Sequence, residues 1–299
     1  MKRFFIVYSL LFGVGTMVAD DSIEVYGCYG SSQHIVVNGR VFDSKEEMSH
    51  SKEDGYVTNL KNKFSQVFNS EKKNEALTLT INQSRYQIES DDEGYYSFEA
   101  TTQEDSFVDN QTVKIAMNGG KTVIGCQAFI PSPKKQIGVI SDFDDTLIVS
   151  DVGDKFNLIN NIFFKNYTQR TLIPETQESI KKLLKKDGKR AFFVLSGSPK
   201  QLQNSIDNFL DYHHFPKRTV ITKKLNGDNS DSLLDQLEYK YAKIQKLILL
   251  YPNIRWVLFG DSGEKDKEAY TKIARAYPNR VEAIYIRNVE NGKIEKFPK

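Results

Sequence analysis

Cysteine is nearly absent from this 299-residue chain: Cys28 and Cys126 are the two, beside four histidines and one tryptophan. At most one intramolecular disulfide is available. The first half holds no His/Cys cluster of the kind that binds a soft metal. His213 and His214 do not make a pair of ligands either, since adjacent side chains on a strand or helix diverge. Net charge is also missing. The 41 basic residues oppose 39 acidic ones, so no basic excess points to nucleic acid. Attraction to anionic lipid has to be local. Beyond residue 19 no apolar run is long enough to span a bilayer. Low-complexity tracts are lacking, and the composition is that of an ordinary globular protein.

What is present begins with residues 1–19. Lys2 and Arg3 precede an apolar stretch, Phe4 to Phe12, then small residues and Ala19 before Asp20. That pattern predicts a signal peptide and export, to a periplasmic or secreted location. Its removal takes away two cations and leaves 39 basic against 39 acidic residues. In an exported protein Cys28 and Cys126 either close the first half with a disulfide or remain two buried thiols.

Residues 20–130 read as a β-rich domain. Short β-branched or aromatic runs start at Ile23, His34, Leu77, Tyr95, Val113 and Val123, with turn signals such as Asn38-Gly39, Asp91 to Gly94 and Asn118 to Gly120. The spacing predicts a β-sandwich-like domain or an open barrel. Between Asp43 and Asn74 only a weak helical stripe occurs, Leu60, Phe64, Val67 and Phe68. Pro131 and Pro133 mark a linker at 131–135. From Gln136 to the end, at 136–299, the pattern changes. Apolar runs at Ile137–Ile140, Ala191–Leu195, Val220-Ile221, Trp256–Phe259 and Ala283–Ile286 alternate with helical stripes at Pro174–Lys186, Lys200–Leu210, Gln236–Leu250 and Lys265–Tyr277. Strands separated by helices predict an α/β doubly wound domain with a parallel sheet.

The chemistry concentrates at predicted strand ends. Gly138-Val-Ile-Ser-Asp142-Phe-Asp144 is an apolar run that stops in carboxylates. Asp142 and Asp144 point to the same side of an extended segment. They repel unless a cation or proton intervenes, and Mg²⁺, a hard ion that takes oxygen ligands, suits them. Ser196 closes Phe192-Phe-Val-Leu-Ser, Lys240 lies near the start of an amphipathic helix, and Gly260-Asp261-Ser-Gly-Glu-Lys-Asp266 follows Trp256–Phe259.

Taken together, Ile140-Ser-Asp-Phe-Asp-Asp-Thr-Leu147, Phe193-Val-Leu-Ser-Gly-Ser-Pro199, Leu258-Phe-Gly-Asp-Ser-Gly-Glu264 with Asp266, and Ala283-Ile-Tyr-Ile-Arg-Asn-Val289 resemble the haloacid dehalogenase superfamily of phosphotransferases. Within it the chain is similar to the App1-type phosphatidate phosphatase family, including in the β-rich half at Val25-Tyr26, Tyr29-Gly30 and Gly39-Arg-Val41. The resemblance implies a HAD-like Rossmannoid catalytic domain and a Mg²⁺-dependent phosphatase. Asp142 would be the nucleophile, Asp144 the acid/base and Thr146 a loop support. Ser196 and Lys240 would hold the phosphoryl group. Asp142, Asp144 (through its carbonyl), Asp261 and Asp266 would hold the metal. The implied substrate is a phosphatidate-like lipid, reached by peripheral membrane contact. An exported phosphomonoesterase for soluble phosphoesters and a non-catalytic phosphatidate-binding module are the alternatives. Gly197, Lys200 and Tyr239 depart from the family pattern, which leaves the choice of lipid open. The insert between Val152 and Thr171, with Phe156, Ile159, Phe163 and Phe164 among Lys155, Lys165 and Arg170, either packs as a short helix or guides an acyl chain.

Overall fold

The computed structural model describes residues 21–43, 73–117, 122–150, 167–184, 190–224 and 235–297. The expected signal peptide, the Leu60–Phe68 stripe, the Asn118–Gly120 turn and the Phe156–Phe164 stripe lie outside them.

The first half forms two antiparallel sheets. Strands β1 (Asp21–Gly30), β2 (His34–Asp43) and β5 (Tyr95–Thr101) make one, in the order β1-β2-β5. Strands β3 (Ala76–Ile81), β4 (Ser84–Glu89), β6 (Thr112–Met117) and β7 (Val123–Gln127) make the other, in the order β4-β3-β6-β7. Alternation decides which side chains meet. Ile35, Val37, Leu77, Leu79, Val113 and Ile115 are wholly buried in one shared core, and Cys28 is disulfide-bonded to Cys126 from strand to strand across it.

The second half is built on a six-stranded sheet. It comprises β8 (Gln136–Ser141), β9 (Phe192–Pro199), β10 (Thr219–Lys223), β11 (Ile254–Asp261), β12 (Val281–Arg287) and β13 (Ile294–Phe297), in the order β10-β9-β8-β11-β12-β13. Neighbours are parallel except for β13, which runs antiparallel to β12. The central strand β8 carries Gly138, where a Cβ would lie 2.7 Å from the Trp256 ring. Glycine there lets the fully buried indole lie flat against the strand beside it. Helices α1 (Pro174–Leu184) and α2 (Gln203–Tyr212) bury Ile180, Ile206, Phe209 and Leu210 against Val139, Phe192 and Val257. On the opposite face α3 (Gln236–Leu250) and α4 (Asp266–Ala276) bury Ile244, Leu247, Ile248, Tyr270 and Ile273 against Ile140, Phe193, Trp256 and Leu258. Asp235 caps α3 by accepting the Glu238 N–H at 2.9 Å. Among the described residues no helix is long and apolar enough to cross a membrane.

This architecture corrects the fold class expected from the sequence, a doubly wound HAD-like α/β domain behind a β-sandwich-like one. Strand accounts for 43% and helix for 24% of the described residues, so the molecule is strand-rich. Two of its three sheets are antiparallel throughout, and the third ends in an antiparallel edge strand. The strands that the periodicity passes over are β4 and β13. Both are short and half exposed, and each has only two apolar residues, Tyr86 and Ile88 in β4 and Ile294 and Phe297 in β13, too few to stand out as a pattern.

The halves are joined by specific contacts as well as by residues 131–135. Gln203 donates to the Tyr26 carbonyl, Asn204 Nδ2 donates to Glu24 Oε1 at 2.7 Å, and Lys224 pairs with Asp91. Phe129 and Tyr29 pack on Phe193, carrying the core across the boundary.

The disulfide closes a span of 98 residues. Replacing both cysteines by serine is expected to lower unfolding stability of this half by about 4–5 kcal/mol, since the unfolded chain regains its loop entropy. Urea denaturation read by circular dichroism checks this; an unmoved midpoint would contradict it.

Candidate functional site

Strands β8, β9 and β11 run parallel, so their C-terminal ends converge on one edge, and the charged residues collect there. Asp142 follows β8 directly, its N–H donating to the Phe259 carbonyl of β11 at 2.8 Å. Asp261 ends β11. Asp266 opens α4, where an acid is favoured by the helix dipole. Lys240 projects from the second turn of α3. Asp142, Lys240, Asp261 and Asp266 are each at most 1% exposed.

One lysine organises four acids. Lys240 Nζ lies 2.9 Å from Asp142 Oδ1 and 2.8 Å from Glu264 Oε2, and it is also paired with Asp266 Oδ1. The other oxygen of Asp266 accepts the Asp261 N–H at 3.1 Å. Gly260 makes this possible, because a Cβ there would fall 2.5 Å from Asp266 Oδ2. Asp261 Oδ1 accepts the N–H groups of Gly263 at 2.6 Å and Glu264 at 3.1 Å. These bonds fold the Gly-Asp-Ser-Gly turn so that Glu264 faces Lys240.

The charges do not balance. Burial pushes the carboxyls of Asp142, Asp261 and Asp266 up from their ordinary values, Asp261 to about 7, and the neighbouring acids add to the shift; Lys240 opposes it. Lys240 is itself held well above its usual value: burial works against its charge, and Asp142, Asp266 and Glu264 overcome that. Asp142 Oδ2 and Asp261 Oδ2 are buried with no hydrogen-bond partner among the described residues. Ligand oxygens of Asp142, Asp261 and Glu264 lie within 4.8 Å of one another. An all-carboxylate donor set with orphaned buried oxygens fits a hard divalent cation. Asp266 sits behind this trio, occupied by Lys240 and the Asp261 amide.

Asp144 lies on the turn beyond Asp142. Ser196, fully buried at the end of β9, donates from Oγ to Asp144 Oδ2 at 3.4 Å and accepts the Ser198 N–H at 3.0 Å. Desolvation pushes the Asp144 carboxyl up to about 6, against the opposing charge of Arg170. The turn itself is held by its neighbour. Asp145 has a left-handed φ of 53°, exchanges two hydrogen bonds with Ser150 (3.1 and 3.0 Å) and offers its carbonyl to Arg287 at 3.0 Å. Thr146 is buried, and its hydroxyl has no hydrogen-bond partner among the described residues. Tyr239 donates to the Ser196 carbonyl at 3.2 Å.

The structure thus gathers Asp142, Asp144, Ser196, Lys240, Asp261 and Asp266 at one sheet edge. It adds Glu264 and Arg170. The sequence signal for Glu264 was its place three residues after Asp261 in a turn; for Arg170 there was only a charge in an insert.

Comparison with known proteins points the same way. The family described as "Phosphatidate phosphatase APP1, catalytic domain" matches residues 137–288, just over half of the chain. A stretch of 160 residues is 30% identical to Phosphatidate phosphatase APP1 of Saccharomyces cerevisiae, covering 52% of this chain and 26% of that protein. The chain therefore spans about a quarter of that relative's length. Among solved structures, a carbohydrate acetylesterase from Xanthomonas citri aligns at a TM-score of 0.30 and 10% identity, over 88% of this chain and 68% of that one. A ferredoxin-NADP+ reductase from Plasmodium falciparum aligns at 0.23 and 9%, over 88% and 94%. At those scores neither likeness carries an argument.

Two outcomes test the electrostatics. Lys240→Met in the absence of divalent cation is expected to lose about 3–5 kcal/mol, because it leaves buried carboxylates without their counter-charge; chemical denaturation in EDTA measures this, and a loss under 1 kcal/mol would show the acids protonated. A divalent cation at a hundred times its dissociation constant is expected to stabilise the wild type by about 2.7 kcal/mol. Asp261→Asn removes most of that gain in a thermal melt; an equal gain in the variant would move the metal site elsewhere.

Proposed function

The chain belongs to the family of the phosphatidate phosphatase APP1 catalytic domain, and on that premise we propose that it is an exported, Mg²⁺-dependent phosphatidate phosphatase. It hydrolyses phosphatidate to diacylglycerol and phosphate through an aspartyl-phosphate on Asp142. The observation that carries this reading is the cluster of buried Asp142 and Asp261 with half-buried Glu264 around Lys240, in which two carboxylate oxygens have no partner among the described residues. The Cys28–Cys126 disulfide supports export, since such bonds persist in oxidising compartments.

Each step assigns work to a residue of this chain. Lys240 holds Asp142 through Oδ1, which fixes the carboxylate that attacks phosphorus in line. The new bond is Asp142 O–P, and the bond that breaks is that between phosphorus and the glycerol oxygen. Covalent catalysis divides one hard displacement into two easier ones. Asp144, whose carboxyl is raised to about 6, is poised to protonate the departing alkoxide and then to take a proton from the attacking water. Ser196 would donate to a phosphoryl oxygen, and Lys240, whose three N–H groups are directed to Asp142, Glu264 and Asp266, would supply positive charge nearby. Asp142, Asp261 and Glu264 would hold the Mg²⁺, with the Asp144 carbonyl as the further ligand implied by the family motif and Asp266 behind them; when bound, the ion would neutralise charge at the acids and the phosphoryl group.

Asp142→Asn removes the nucleophile while keeping its shape. Phosphate release from phosphatidate in mixed micelles is expected to fall at least about a thousandfold, given the scale of covalent catalysis, and EDTA is expected to abolish release by the wild type. Surviving turnover in the variant would refute the covalent step. Equal or faster hydrolysis of soluble sugar or nucleotide phosphates would replace the lipid assignment with a phosphomonoesterase for small substrates.

A further inference from the structure

The hydrogen-bond donors at the acid edge are largely committed to the protein itself. Lys240 directs its three N–H groups to Asp142, Glu264 and Asp266. Tyr239 donates to the Ser196 carbonyl at 3.2 Å, and Ser196 donates to Asp144 at 3.4 Å. Arg287 donates from Nη1 to the Asp145 carbonyl at 3.0 Å. A phosphoryl group brings three equatorial oxygens whose charge has to be met in the transition state. Ser196 can turn to one of them. Lys240 cannot, unless it leaves a buried acid without its partner. A further donor is needed, and Arg170 supplies one.

Arg170 is held at the acid loop by the chain on both sides of it. After it, residues 171–173 run antiparallel to the end of that loop. The Val149 N–H donates to the Thr171 carbonyl and the Ile173 N–H to the Leu147 carbonyl, both at 2.9 Å, and Ile148 bridges to Leu172. Before it, Tyr167 packs, as Leu172 does, on the core that contains Phe143, Leu147 and Ile148. Phe143 precedes Asp144 directly, so the arginine and the acid are carried by one packed unit. The Arg170 charge bears on the Asp144 carboxyl more strongly than that of any other group, ahead of Glu264, Asp145 and Lys240. Yet the two do not touch: among the described residues Arg170 forms no hydrogen bond and no ion pair. It is half-buried, and burial works against its charge, with Asp144 as the acid that offsets this. Its guanidinium holds five donors in a planar fork, which matches the oxygens of a phosphoryl group.

We propose that Arg170 is a substrate-binding residue, its guanidinium donating to phosphoryl oxygens of the bound ester on the side of Asp144 and the leaving group. It fills the role that Lys240, bound to three acids, leaves open. The assignment rests on the reading of this edge as a phosphomonoester site, and it does not depend on the ester being a lipid. It brings the end of the insert, and not only the strand ends, into contact with substrate.

Inhibition by inorganic phosphate and turnover of phosphatidate and p-nitrophenyl phosphate, measured on the full chain with Mg²⁺, test the assignment. Arg170→Met is expected to raise the inhibition constant of phosphate about tenfold. It is also expected to lower kcat/KM for the hydrolysed esters by about a hundredfold, the scale of one lost oxyanion donor. Arg170→Lys, which keeps the charge but loses the fork, is expected to fall between. Added guanidinium ion, at a non-denaturing concentration, is expected to raise turnover by Arg170→Ala severalfold and not that of the wild type, with the melting temperature of each variant unchanged. Phosphate inhibition unaltered in Arg170→Met, or a loss of turnover that follows a lowered melting temperature and ignores guanidinium, would overturn the assignment. Wild-type turnover of p-nitrophenyl phosphate without phosphatidate would overturn the lipid reading alone, and the soluble ester then decides the role of Arg170. A wild type inert toward both esters would overturn both.

Discussion

The structure at the sheet edge depends on one buried ammonium. Lys240 has no solvent contact and faces Asp142, Glu264 and Asp266. Burying a single ion is costly, and mutual attraction offsets that cost only when geometry and hydrogen bonding are good. The surrounding details answer that demand. Gly260 has no side chain, so Asp266 can approach; Asp266 then bridges Lys240 and the Asp261 amide. Asp261 folds its own turn and brings Glu264 round. The remaining negative charge, with orphaned oxygens on Asp142 and Asp261, is what makes the cluster receptive to a cation. A salt bridge of this kind is weak evidence of stability but good evidence of a site, because its imbalance has no structural purpose.

A second layer of control surrounds the first acid loop. Asp145, which carries no catalytic assignment, takes the left-handed backbone conformation that lets the chain turn back after Asp144. Its bonds to Ser150 and its carbonyl contact with Arg287 tie the loop to β12. On the other side, the Tyr239 hydroxyl holds the Ser196 carbonyl, and Tyr239 directly precedes Lys240. The tyrosine that departs from the family pattern thus links the β9 end to the α3 lysine.

Much of this was legible beforehand. The apolar runs at Ile137, Ala191 and Trp256 became buried strands because side chains enclosed on both faces must be continuously apolar. The acids at their ends were visible as abrupt changes of polarity. Strands β4 and β13 were not, since two apolar residues in a short edge strand make too brief a pattern to stand out. Their presence, with the two antiparallel sheets, is why the molecule is strand-rich where a doubly wound chain had been expected. Cys28 and Cys126 stayed undecided between thiols and a disulfide until the strands that carry them faced one another.

What the sequence by itself determined was the chemistry available: Asp142, Asp144, Ser196, Lys240, Asp261 and Asp266, each beside a strand end or on a helix that a local pattern could announce. Tertiary structure decided which of these groups meet. Lys240 and Asp142 are 98 positions apart, and no local periodicity encodes their 2.9 Å contact. The same holds for Glu264, turned inward by hydrogen bonds within its own loop, and for Arg170, whose charge reaches Asp144. Local sequence sets residue type and side-chain direction, whereas proximity between distant segments follows from how the parallel strands align their ends.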